Sequence, residues 1–177
     1  DGSEYELDLA RTQQDLGTLY LTTRQYGAAE TAYREALVIF QTLAGASPLE
    51  PKYLAHTAQT HNSLGALFRI VAQHDKAESA YREALAIQKV LAERYPNNPA
   101  YQHQLARIYI NVGELCNAIG RPQEAETTLQ KAMSVFDQTA PGDPSCESDL
   151  AKCHRNLGDL FRDTGRPALT EAAIQKA

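Results

Sequence analysis

No stretch of about 18 apolar residues occurs in this chain, so nothing in it reads as a membrane span. The amino terminus also lacks the charged-then-apolar pattern of an export signal. Basic residues are the minority, 17 against 22 acidic, and the net charge of −5 argues, on average, against a general nucleic-acid binder, which carries a basic stripe to displace counterions. Cysteine is scarce: Cys116, Cys146 and Cys153 form no even framework and no CxxC, which places the chain in a reducing, cytoplasmic compartment. There is no glycine-rich phosphate loop, no nucleophile elbow and no HExxH, so no catalytic residue, metal or cofactor is expected. Strand signals are absent as well. The opening Asp1-Gly2-Ser3, without a methionine, reads as an excised fragment with a tag remnant.

What the chain does have is repetition. AYREAL occurs at residues 32–37 and again at 80–85, 48 positions later. At that offset Leu16-Gly17 aligns with Leu64-Gly65 and Val112-Gly113, and a fourth copy, Leu157-Gly158, follows after 45. Pro48, Pro96 and Pro144 keep the same period, which assigns the three missing residues to the last linker. The expected organisation is a single domain over 1–177, with repeats near 4–47, 48–95, 96–143 and a truncated 144–177.

Measured from each glycine, large apolar side chains stand one before and two and three after: Leu16, Leu19 and Tyr20; Leu64, Leu67 and Phe68; Val112, Leu115 and Cys116; Leu157, Leu160 and Phe161. Such spacing marks one face of a helix, here called A. Twelve residues before the glycine, Tyr5, Tyr53, Tyr101 and Cys146 mark an apolar helix start. Helix A should stop near Thr23, Val71, Gly120 and Gly165, where Gly-Arg-Pro in the last two copies supplies a stop and a new first turn. Helix B contains AYREAL. Its Ala29, Tyr33 and Ala36, repeated as Ala77, Tyr81 and Ala84, form a packing seam, with Arg34 and Arg82 facing water.

Leu16-Gly17-x-x-Tyr20 followed by Ala29-x-x-x-Tyr33 and Ala36 resembles the tetratricopeptide repeat, with its L-G-x2-Y, A-x3-F pattern and later proline. Gln13, His61, Tyr109 and His154 occupy the position where that family usually has tryptophan, and the period exceeds the usual one of about 34. The long repeats with a Pro-x-x-Pro-x-Tyr linker, as in Pro48 to Tyr53 and Pro96 to Tyr101, are similar to arrays in large bacterial signalling proteins, some serine/threonine kinases among them. The resemblance implies an all-α, right-handed superhelical solenoid of four helix pairs. Its implied function is a noncatalytic scaffold that binds a peptide or partner protein on the concave face; the alternative is a regulatory or sensor arm of a larger bacterial signalling enzyme such as a kinase.

Repeat geometry puts the groove-lining positions six and three before each glycine and one, four and five after. The candidate partner-binding residues are therefore Arg11, Gln14, Gln59, Asn62, Arg69, Arg107, Asn117, Lys152, Arg155 and Arg162. All groove positions together carry six basic and three acidic side chains in an acidic chain, which favours an acidic or carboxylate-bearing partner. The family's clamp for chaperone carboxyl termini is not reproduced: Asn111 and Lys152 match, but Ala66 and Asn156 depart from it. Cys146, Cys153 and His154 make a weak metal motif with no evident fourth ligand, and buried packing is the preferred role for Cys153. The fourth B helix stops at Ala177 without a polar cap, so an apolar strip including Leu169 and Ile174 is expected to drive end-to-end association or to be covered by further repeats.

Overall fold

A computed structural model describes residues 2–138 and 144–175. All regular structure among these residues is helical: α1 Gly2–Thr22, α2 Tyr26–Ala46, α3 Pro51–Ile70, α4 His74–Arg94, α5 Pro99–Ala118, α6 Pro122–Gln138, α7 Pro144–Asp163 and α8 Pro167–Ile174. The odd-numbered helices are the expected A helices and the even-numbered ones the B helices. The linker 139–143, the side chain of Ile174 and Ala177 lie outside the described residues. Helices of 20 or 21 residues from α1 to α5 account for a period longer than that of shorter helical repeats.

Proline sets five helix starts, because it has no N–H to leave unsatisfied in the first turn and its φ is already helical. At α5 the Asn98 side chain adds a cap, accepting from the Ala100 N–H at 3.1 Å. The A-to-B turns are four copies of one device. Seven residues after each repeat glycine the backbone turns left-handed, at Arg24, Ala72, Gly120 and Gly165. The next N–H then reaches back to the A helix: Gln25 to the Tyr20 carbonyl, Gln73 to Phe68, Arg121 to Cys116 and Arg166 to Phe161, each at 2.8 Å. This is a Schellman-type closure, and it suits glycine.

Arg24 and Ala72 hold the same turn against the steric cost of a Cβ at positive φ, about 1–2 kcal/mol. Ala72→Gly removes that strain but adds unfolded-state entropy worth about 0.5–1 kcal/mol. A small net stabilisation, up to about 1 kcal/mol, is expected in urea denaturation. A loss of stability would show that the turn is held by something other than its backbone conformation.

The helices gather into two compact units, Asp1–Arg94 and Tyr95–Ala177, each holding two helix pairs. In the first unit α2 packs between α1 and α3, and α3 pairs with α4; in the second α6 packs between α5 and α7, and α7 pairs with α8. The alanine and glycine columns explain the close approach within each pair. Ala29, Ala36, Ala77, Ala84, Ala125 and Ala132 are fully buried. A Cβ built on Gly17 would meet the Tyr33 ring at 2.6 Å, on Gly65 the Tyr81 ring at 2.5 Å, and on Gly113 the Leu129 side chain at 2.8 Å. AYREAL is thus a seam: its tyrosine lies on the bare glycine of the partner helix. Its arginines point outward, Arg34 pairing with Glu30 at 2.8 Å and Arg82 with Glu78 at 3.9 Å.

The apolar columns are not equally buried. Tyr53, Leu67 and Leu160 are buried, whereas Tyr5 and Leu19, which read identically in sequence, are exposed. In α3 and α7 these columns face a B helix of the preceding pair. No described helix precedes α1, and its columns face outward.

Candidate binding surface

The A helices lie side by side within each unit, α1 with α3 and α5 with α7, and the ten candidate binding residues are distributed along them. In the first unit Arg11 and Gln59 are exposed. Gln14 and Asn62 are only 6% exposed, so they belong to the packing between helices as much as to its surface. Arg69 is half-buried, with its Nε enclosed. Beside Gln14, the hydroxyls of Thr18 and Tyr33 are 3.2 Å apart, tying the A helix to the seam tyrosine of its own pair. His56 stacks on Phe40 with ring centroids 4.8 Å apart. Burial lowers the pKa of His56, and the nearby Arg11 charge lowers it further.

In the second unit several candidates have carboxylate partners. Arg107 Nε lies 3.5 Å from Asp149 Oδ2, and His103 Nε2 lies 2.9 Å from the same oxygen. Lys152 Nζ reaches Glu114 Oε1 at 2.8 Å, and Asn156 Nδ2 donates to that oxygen at 3.1 Å. Arg162 bridges Asp159 at 2.7 Å and Asp163 at 3.6 Å. Arg155 and Asn117 are exposed. Arg107, Lys152 and Arg162 therefore spend much of their charge inside the unit. Arg155 makes no ion pair among the described residues. His103, Asp149 and Asn156 were not candidates from sequence; their partners lie more than 40 residues away, beyond the reach of any local motif.

The cysteine and histidine cluster reads as packing. Cys153 is fully buried and its Sγ donates to the Leu129 carbonyl at 3.3 Å. Burial pushes its thiol pKa up to about 12, which keeps it protonated at neutral pH. Among the described residues no group of three His, Cys, Asp or Glu side chains is placed to hold a metal ion. No described helix is long and apolar enough to cross a membrane.

Repeated helix pairs with a glycine under each seam residue are matched by two models of one family, both described as tetratricopeptide repeat, over residues 9–50 and 106–138. The chain contains tetratricopeptide repeats over these residues. Solved structures of the same fold include BtubC from P. vanneervenii, with TM-score 0.72 and 22% identity over 95% of this chain and 61% of that one. Aspartyl phosphate phosphatase F from Bacillus subtilis gives TM-score 0.77 and 16% identity over 97% of this chain and 39% of that one. A kinesin light chain from Podosopora anserina with nearly identical TPR-like repeats gives 0.55 and 20% over 94% and 72%. At these identities the likeness is one of fold: all-α, built from antiparallel helix pairs. The chain spans less than two thirds of the length of the first two. No curated protein matches its sequence. Tetratricopeptide repeats in general mediate protein–protein interaction, which supports an interaction scaffold here.

Proposed function

We propose that the A-helix face binds an acidic peptide segment of a partner protein. Exposed Arg155, without a carboxylate partner among the described residues, carries this reading, because a cation on a groove position is left to be neutralised from outside. Arg11 offers the same in the first unit, exposed and next to a histidine that burial keeps neutral. Ion pairs from α5 to α7, by contrast, hold that face in shape: Asp149 gathers His103 and Arg107, and Glu114 gathers Lys152 and Asn156. Binding and scaffolding cations thus occupy the same helices in alternation.

The division is tested by charge reversal. Arg11→Glu and Arg155→Glu, separately and together, are expected to weaken a glutamate-rich peptide in a titration while leaving the far-ultraviolet circular dichroism unchanged. Each charge-assisted contact is worth about 1.5–3 kcal/mol when sheltered and under about 1 kcal/mol when solvent screens it. Arg107→Glu is a poor probe, since it also sets a carboxylate against Asp149. If affinity is indifferent to both changes but falls on altering Arg34 or Arg82, the opposite, B-helix surface is the binding site.

A further inference from the structure

Each unit brings a phenylalanine, a histidine and an arginine to one corner, but only the second unit supplies a carboxylate there. Asp149 Oδ2 lies 2.9 Å from His103 Nε2 and 3.5 Å from Arg107 Nε, and the His103 ring tilts against Phe136 with centroids 5.9 Å apart. In the first unit Arg11 and Phe40 stand 96 positions before Arg107 and Phe136, at the same points of the repeat. The place of Asp149, nine residues before the repeat glycine, is taken by His56, and the place of His103 by Leu7. The His56 ring stacks on Phe40 with centroids 4.8 Å apart. The histidine has thus changed helices, and the acid has been lost.

The first-unit corner is short of an acceptor. Arg11 is exposed and makes no ion pair among the described residues, although Asp8 and Asp15 flank it on α1 by one turn either way. One turn on from Arg11, Gln14 is 6% exposed and its enclosed Nε2 has no hydrogen-bond partner. The enclosed Nδ1 of His56 has none either. Burial first, and the Arg11 charge second, hold the His56 pKa below its ordinary value. The groups around the ring account for that direction: α1 brings Arg11, α2 brings the apolar Phe40, and on α3 the charge nearest in sequence, Lys52, is held by Glu50 at 3.6 Å. The opening belongs to the repeat position rather than to the first helix. Gln59, the counterpart of Arg11 on α3, is exposed with α1 packed beside its helix.

We propose that this corner is a proton-linked carboxylate seat: an acidic side chain of the partner takes the place that Asp149 holds in the second unit, accepting from Arg11 and the His56 ring, and the ring takes up a proton as it binds. This rests on the acidic-peptide reading above, and adds where one carboxylate sits and how pH controls it. An anion beside the ring stabilises the imidazolium against burial and against Arg11. Coupling is reciprocal, so acid must tighten binding in turn.

A blocked glutamate-rich peptide is the probe, with its glutamine counterpart as control, titrated into the native chain at about pH 8 and about pH 6, where histidine changes charge. Its glutamates titrate at about 4.3 and stay ionised throughout. Affinity is expected to rise about fivefold on going to the lower pH. His56→Gln should abolish the rise and leave the affinity near the native value at the higher pH. His56→Asp supplies an internal acid, as Asp149 does for Arg107, and should weaken the peptide at both pH values. Arg155→Glu should weaken it while keeping the pH dependence. In the native chain, the His56 ring proton followed by nuclear magnetic resonance should titrate at higher pH once the peptide is bound, which needs no variant to fold. Affinity indifferent to pH, a rise that survives His56→Gln, or an unmoved His56 titration overturns the seat and leaves the groove reading to Arg155→Glu. Failure of the native chain to distinguish the glutamate peptide from the glutamine one overturns both.

Discussion

Tyr81→Ala is expected to cost about 3–5 kcal/mol of stability, the range for truncating a buried aromatic ring. Tyr81 is 1% exposed and lies against the bare backbone of Gly65, whose missing side chain leaves the space the ring fills. Truncation opens a cavity between α3 and α4 that neither helix can close, because the alanines Ala77 and Ala84 already bring the backbones as near as side chains allow. Urea denaturation followed by circular dichroism measures the loss. A midpoint unchanged from the native chain would mean that the ring does not hold the pair together.

The complementary change, Gly65→Ala, adds a methyl where the ring already stands. Its Cβ would lie 2.5 Å from two ring carbons and 2.9 Å from a third, closer than real contacts come. Alanine gains about 1 kcal/mol of helix propensity over glycine, which offsets part of an overpacking cost of about 1–3 kcal/mol. The ring is enclosed and cannot swing aside, so a net destabilisation of about 1–2 kcal/mol is expected. The double variant decides the cause. With the ring gone the three nearest contacts of the methyl are relieved, so Gly65→Ala in the Tyr81→Ala background should stabilise. Additive losses would place the damage elsewhere.

These pairings show what a single sequence discloses. Gly65 and Tyr81 are legible because the repeat prints them three times over, as glycine with tyrosine or leucine, and periodicity converts column into face. The helix ends are legible for the same reason: proline and glycine act on the backbone next to them. Burial is another matter. Leu19 and Leu67 are the same letter in the same column, and only the presence of α2 against α3 separates a core residue from a surface one. The charges are harder still. Sequence counts Arg107 and Lys152 as groove cations, yet each is met by a carboxylate on the neighbouring A helix, Asp149 and Glu114, and that depends on the register between helices rather than on spacing along one. Gln14 and Asn62 show the same limit, since a position that faces a groove in general geometry is here buried by its neighbours.

The left-handed turn at Arg24, Ala72, Gly120 and Gly165 bears also on how the molecule is reached from the unfolded chain. Each closure joins residues five apart, and each seam joins a glycine to a side chain sixteen positions later. Every hairpin can therefore form without waiting for a distant strand of chain to diffuse back, and the entropy lost before the first stabilising contact is small. Four near-equivalent starting points give many short routes to the native state rather than one obligatory nucleus. A substitution in one hairpin then removes one route and leaves the others open.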